Sequence, residues 1–369
     1  HDIFCKIGVG WMAVLLLPLA ACVARPGPDS ASLHRVLDQQ APVWLKAYEV
    51  PGVSVALIED GRLVWTVAYG EQDSGAPATD ATLYNVASLA KPVSAETMLR
   101  LASSGRISLD EPMYRHWIDP DIRDDPRHRL LAPRMSLLHQ TGFPNWRYQT
   151  EGKLRFLRDP LAEPGYSGEG YEYAARFVQE KLGRRFDRLA QELVFNPVGM
   201  RNTSYIGRDW FADRIAVPQG PEGEFGRPAI RDSWVASDDL YTTAADYGRF
   251  VACVLRGEGL SEDLAARRFT ITDDQHGEMC AALSLAADLC PARMGYALGW
   301  IGFEYPDDTI MMHTGKDWGE QTLAFFSLRR RLGVVVLTNG ANGMRVAAKV
   351  AALLFEHPGF NAFLAAEAS

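Results

Sequence analysis

The chain has 369 residues, is 47% hydrophobic and carries a formal net charge of -8. Such a length and apolar content can bury one large bilobal core or two intimate ones. The acidic balance, with no basic tract, argues against a nucleic-acid partner.

In chain order, the first feature is an export leader. Lys6 precedes an apolar stretch, Ile7 to Leu19, too short and too broken by Gly and Pro for a transmembrane helix. It ends in Leu19-Ala20-Ala21-Cys22, which resembles the bacterial lipobox. That resemblance implies a signal peptide over 1–21, lipidation of Cys22 and a periplasmic lipoprotein held to the membrane by its lipid anchor. Val23 in place of Asp points to the outer membrane. Residues 22–32 read as a flexible tether, and 33–360 as the folded domain.

Residues 34–49 carry the apolar stripe of a helix, with Val36, Leu37, Val43 and Leu45. Val53–Ile58 and Leu63–Tyr69 flank Glu59-Asp60-Gly61-Arg62, a hairpin signal. A helix opens at Ser88 and stops at Ser103-Ser104-Gly105. Pro92 is tolerated only in a first turn, which places Ser88 at the helix N-terminus. Further helices are expected over Gly170–Leu182, over Phe186–Leu193 with a stop before Pro197, and over Thr242–Arg256. Loop 207–235 is long enough to be functional or mobile. Strands are expected at Tyr296–Phe303, Thr309–His313, Thr322–Leu328 and Gly333–Thr338, with Ala341–Glu356 as the closing helix. The fold class is therefore α+β. An antiparallel sheet draws on both chain ends (about 33–86 and 236–360), and a mainly helical lobe (about 87–235) is inserted. Cys253 reads as a buried small hydrophobe, and Cys280 with Cys290 is open to pairing in an oxidising compartment. No Cys/His spacing suggests zinc.

Three motifs carry chemistry. Ser88-x-x-Lys91 puts a hydroxyl and an amine on one helical face, where the amine can take the proton of the nucleophile. Lysines are sparse, and no other Ser-x-x-Lys occurs. The second motif is Tyr166-Ser167-Gly168. The third is His313-Thr314-Gly315, on an expected strand ahead of Lys316-Asp317-Trp318-Gly319. Gly52-Val53-Ser54-Val55-Ala56 nearly matches a nucleophile elbow, but Ser54 opens a strand and is set aside.

With these motifs in this order, the chain resembles the serine beta-lactamase and penicillin-binding family, in its class C branch, over roughly residues 35–355. That branch also holds D-Ala-D-Ala carboxypeptidases, D-amino-acid peptidases and small-ester hydrolases. The resemblance implies Ser88 as nucleophile, Lys91 as base or relay and Tyr166 as proton shuttle. His313 stands where lysine is more usual. The backbone N–H groups of Ser88 and Lys316 would form the oxyanion hole, with Thr314, Gly315, Gly168 and Trp318 toward substrate. No metal, cofactor or obligatory protein partner is implied; the partner is a small-molecule or peptide substrate.

Two departures from that pattern matter. Gly168 replaces the usual Asn, removing an amide that would meet the substrate and brace Lys91. His313 can be neutral at pH 7, whereas lysine would be charged, which predicts activity that follows its titration. Both tilt the expectation toward an esterase or D-peptidase acting on small esters, peptides or cell-wall fragments. A weak class C beta-lactamase and a silent cell-wall-binding fold are the alternatives. His139 reads as structural, as does Asp246, a helix cap or brace. Of the aromatic residues Trp146, Tyr148, Trp210, Trp234 and Trp318, only Trp318 is expected at the cleft.

Overall fold

A computed structural model describes residues 28–369. The leader, Cys22 and most of the tether lie outside the described residues. Within them, no helix is long and apolar enough to cross a membrane.

The first helix spans Ser30–Tyr48. Asp29 caps it, its carboxylate accepting from the Ser32 N–H at 2.7 Å. Residues 30–32, expected in the tether, are therefore helical. The strands are β1 Gly52–Glu59, β2 Arg62–Asp73, β3 Ala76–Pro77, β4 Tyr84–Asn85, β5 Tyr241–Thr242, β6 Arg293–Ala297, β7 Trp300–Tyr305, β8 Asp308–Lys316, β9 Gln321–Ser327 and β10 Leu332–Thr338. Eight of them form one sheet in the order β3-β2-β1-β10-β9-β8-β7-β6, while β4 pairs with β5 apart from it. The large sheet is antiparallel throughout. It is thus assembled from the two ends of the chain, and the helical segments lie between them.

Both faces of the central strands are buried, which is why they read as nearly continuous apolar runs. Val53, Val55 and Leu57 of β1 join Val334 and Val336 of β10 against the first helix and the helix Gly343–Leu354. Ala56, Ile58, Val335 and Leu337 face the opposite way, toward the helices Ala90–Ser103 and Ala244–Arg256. Each fully buried large aliphatic side chain contributes about 1.5–3 kcal/mol, so this double face fixes the sheet that carries the third motif.

Three expectations change. The single strand expected over Tyr296–Phe303 is a hairpin, β6 and β7, broken at Leu298-Gly299. Gly299 has φ +90°, a conformation that costs other residues a steric clash. The helix expected to stop before Pro197 runs on through a π turn at Gln191–Phe195 to Val198. The Leu193 carbonyl, which Pro197 cannot engage, accepts from Arg100 Nη1 at 2.9 Å instead. Finally, the chain does not close at Glu356. Pro358 starts another helix, Pro358–Ala368, capped by His357 and buried through Phe360, Phe363 and Leu364.

Cys280 and Cys290 are disulfide-bonded, and Cys253 is a buried free thiol. Asp246 braces the start of its helix, accepting from the Asn202 N–H at 2.7 Å and from Thr203 Oγ1 at 2.9 Å.

Candidate active site

Ser88 stands in a single 3-10 turn, Ala87–Leu89, two positions before the first residue of the helix Ala90–Ser103. Pro92 is the third residue of that helix, still within the turn whose N–H groups lack intrahelical acceptors. The nucleophile thus sits slightly outside the α-helix expected to begin with it. Ala87 is held at φ +50°, a strained region for a residue with a Cβ. The Asn85 side chain secures it by accepting from the Ala87 N–H at 2.9 Å.

Lys91 is fully buried. Its Nζ lies 3.1 Å from Ser88 Oγ and 3.1 Å from the Ser237 carbonyl. The same nitrogen is 4.6 Å from the centroid of the Tyr166 ring. Tyr166 directly precedes Ser167, which caps the helix Gly168–Leu182 by accepting from the Gly170 N–H at 2.9 Å. The ring of His313, on β8, lies 6.1 Å from that of Tyr166. The phenol and the imidazole, far in sequence from the hydroxyl and amine, share one place with them.

His313 is buried, and its Nδ1 lies 2.8 Å from the Thr314 carbonyl. A carbonyl can only accept, so Nδ1 carries the proton and Nε2 is the free lone pair. Burial, and then the Lys91 charge, lower the His313 pKa to about 3, against the opposing bond to Thr314. The imidazole is neutral across the physiological range. Burial thus works against the titration near neutrality expected from sequence.

Gly168 donates its N–H to Asn145 Oδ1 at 2.8 Å. A Cβ there would fall 2.9 Å from the Trp146 indole, which occupies the space of the missing side chain. Lys91 is braced by the Ser237 carbonyl. Gly315 has a different cause. A Cβ on it would lie 2.2 Å from the Val86 carbonyl, so only glycine lets β8 pass this close to the nucleophile turn. Thr322 of β9 donates to the same carbonyl at 2.9 Å. Thr314, beside it, is half-buried.

Lys316 is paired with Gln321 and is followed by the bond from the Asp317 N–H to the Glu320 carbonyl at 2.9 Å. Antiparallel pairs alternate between bonded and non-bonded, so the Lys316 N–H points away from β9. On its other side, the β7 pairing ends at Ile301 with Met312. That leaves the N–H free to face the Ser88 turn. The side chain of Trp318 is half exposed and covers Gly220 and Gly226, tying the 207–235 loop to the end of β8.

Sequence reasoning read His139 as structural and missed the acids close to Lys91. The ring of His139 lies 4.5 Å from that of Tyr166, and its Nδ1 accepts from the Ser167 N–H at 2.9 Å. Burial, together with the charges of Lys91 and His313, holds its pKa well below the usual histidine range. Asp238, Asp239 and Asp317 bring carboxylate oxygens within 4.8 Å of one another. Asp239 is held by Asn85 Nδ2 at 2.8 Å and Arg231 Nε at 2.5 Å. Glu320 is buried beside them. Burial and mutual repulsion raise Asp317 and Glu320 to about 8 and Asp238 to about 6. A signal was present in Ser237-Asp238-Asp239 and Lys316-Asp317, but only the fold brings the two segments together. A cavity of 1040 Å³ lies elsewhere, lined by His276, Tyr305, Asp307, His357 and the disulfide, and contains none of the motif residues.

A family model described as Beta-lactamase matches residues 35–357. Among curated proteins, the chain is 25% identical to an unguisins hydrolase of Aspergillus violaceofuscus, over 85% of this chain and 62% of that one. It is 26% identical to the esterase EstB of Burkholderia gladioli, over 52% of this chain and 55% of that one. It is 25% identical to a D-aminopeptidase of Gluconobacter oxydans, over 80% and 57%. The chain thus spans less than two thirds of the length of these relatives. Among solved structures, a D-alanine carboxypeptidase AmpC from Burkholderia cenocepacia superposes with TM-score 0.71 at 19% identity, over 88% of this chain and 99% of that one. A penicillin-binding protein homologue from Pyrococcus abyssi superposes with TM-score 0.70 at 18% identity, over 90% and 78%.

Proposed function

The chain belongs to the beta-lactamase family, and on that premise we propose that it is a serine hydrolase that cleaves an ester or amide through an acyl-enzyme on Ser88. The observation that carries this reading is the 3.1 Å contact between a fully buried Lys91 Nζ and Ser88 Oγ. In its neutral form the Lys91 amine accepts the Oγ proton as Oγ attacks the carbonyl carbon. The carbonyl π pair moves to oxygen, and the oxyanion meets the N–H groups of Ser88 and Lys316. Each such donor is worth about 2.7–4 kcal/mol in the transition state. Collapse of the adduct expels the alkoxide or amine, which takes its proton from Tyr166. Water then attacks the acyl carbon and gives a proton back through Tyr166 and Lys91, restoring Ser88.

The family contains proteins named for ester, D-peptide and carboxypeptide chemistry. Small esters and D-amino-acid peptides are the substrate class favoured here. A neutral His313 offers no cationic handle for the carboxylate of a beta-lactam, and Gly168 offers no side-chain amide. Labelling by a fluorescent fluorophosphonate that is lost in Ser88→Ala tests the hydrolase reading. Ring opening of a chromogenic cephalosporin as fast as ester cleavage would overturn the substrate preference.

For the leader, the reading is export and lipid attachment at Cys22, supported by Leu19-Ala20-Ala21-Cys22. Incorporation of labelled palmitate that survives Cys22→Ser would refute it.

A further inference from the structure

The carbonyl that braces Lys91 is itself held in place. Lys91 Nζ donates to the Ser237 carbonyl at 3.1 Å. Ser237 in turn directs both of its own donors to one atom. Its N–H nitrogen lies 2.9 Å, and its Oγ 2.7 Å, from Oε1 of Glu172. Ser237 is fully buried, so neither donor has water as a substitute partner.

Glu172 stands on the second turn of the helix Gly168–Leu182, whose cap, Ser167, directly follows Tyr166. One helix therefore presents the phenol at its start and grips the brace of Lys91 a turn later. Tyr171, the residue beside Glu172, sets its ring 6.0 Å from the same Lys91 Nζ. The residue before Ser237 is held from another element. Ser94, three positions after Lys91 on the Ala90–Ser103 helix, donates to the Ala236 carbonyl. Ala236-Ser237 is thus pinned between the helix that carries the amine and the helix that begins at the phenol. Burial pushes the Glu172 carboxyl pKa up, and the bonds from Ser237 oppose that rise.

We propose that Glu172 is a positioning residue for the reaction on Ser88: by holding Ser237 at two points, it fixes the carbonyl that aims Lys91 Nζ at Ser88 Oγ. The assignment rests on the hydrolase reading and adds to it a group that touches neither substrate nor nucleophile. Among the described residues, Ser88 Oγ and the Ser237 carbonyl are the hydrogen-bond partners of the Lys91 amine. A shift of that carbonyl therefore swings the amine away from the hydroxyl. At 3.1 Å the amine is already near the outer end of the reach of proton transfer, about 2.6–3.2 Å, so a small displacement is enough to slow the attack.

Fluorophosphonate labelling reads this step: Ser88 Oγ bonds to phosphorus, fluoride leaves, and the Oγ proton passes to Lys91. The end point counts competent sites, and the second-order rate constant reports the aim of the amine. Glu172→Leu should reach the wild-type end point with a rate constant at least tenfold lower. Its kcat for p-nitrophenyl butyrate should fall in parallel, with KM changed less than threefold. Glu172→Gln, which keeps an acceptor oxygen for Ser237, should stay within threefold of the wild type. Ser237→Ala, which removes only the Oγ donor, should slow labelling at least twofold, and it decides the question should Glu172→Leu not fold. Wild-type labelling rates in Glu172→Leu or in Ser237→Ala, or a Gln variant as slow as the Leu variant, would each overturn the proposal. So would a lowered end point at an unchanged rate constant, the mark of a purely structural role. Labelling that persists in Ser88→Ala would overturn the hydrolase reading itself, and this assignment with it.

Discussion

His139 lies against Tyr166, ring centroids 4.5 Å apart and planes inclined by 30°, while its Nδ1 accepts the N–H of the very next residue, Ser167. One side chain thus fixes both the phenol and the backbone that presents it. His139 itself sits at φ +57°, so the surrounding fold sustains strain to put it there. It is a positioning residue for Tyr166.

His139→Phe keeps a ring against Tyr166 but orphans the buried Ser167 N–H, at a cost of about 1–3 kcal/mol. The expected result is a lower melting temperature and a kcat for p-nitrophenyl butyrate down about tenfold, with KM changed less than threefold. His139→Asn, which can restore an acceptor but no ring, should recover stability more than kcat. Steady-state kinetics and thermal melts on both variants check this; equal recovery of both quantities would contradict the stacking role.

His313→Lys places a charge on β8 beside Lys91, in a site that keeps its two imidazoles neutral. Burial resists that charge, so the variant is expected to be less stable than the wild type. The wild-type kcat profile should show no inflection from His313 between pH 5 and 8, because that group titrates at about 3. A wild-type inflection near pH 6.5 that disappears in His313→Lys would refute this.

Stability should fall on the alkaline side of neutrality, while on the acid side two contributions oppose each other. His313 has its native pKa depressed from 6.5 to about 3, and His139 is depressed as well. Between those limits the unfolded chain binds protons that the native site excludes, so stability declines as pH falls from 6.5 toward 3. Asp317 and Glu320 shift oppositely, raised to about 8. Their contribution is full below the ordinary carboxylate range and is lost as pH rises through 8. Urea melts should therefore give a lower midpoint at pH 9 than at pH 6.5, while between pH 4 and 6.5 the histidines and the acids oppose one another and the midpoint changes less.

What the sequence disclosed followed the range of the interactions. Ser88 and Lys91 were readable because three residues of helical rise set their contact, and β1 with β2 because Asp60-Gly61 marks the turn. The family resemblance supplied Tyr166 and His313, whose meeting depends on β8 docking at the Ser88 turn through Gly315. The β6–β7 hairpin was hidden because Leu298-Gly299 lies inside an unbroken apolar run, where one glycine φ decides between a strand and a turn. Helix Pro358–Ala368 was hidden because its outer face carries small apolar residues, Ala362, Ala365, Ala366 and Ala368, where charges would have marked an amphipathic pattern. The acid cluster was illegible because Asp238 and Asp317 lie on opposite sides of the β6–β7 hairpin and meet only once the sheet is assembled. The Ser237 carbonyl, which braces Lys91, has no side-chain signature at all.

The most direct measurement is intact-protein mass spectrometry after acid quench of the purified chain turning over p-nitrophenyl butyrate, with peptide mapping of the adduct. A single butyryl group on the peptide carrying Ser88, absent in Ser88→Ala and accumulating in Tyr166→Phe as deacylation slows, is the predicted result. Undiminished hydrolysis by Ser88→Ala, or an acyl group mapped to any other residue, would contradict the account.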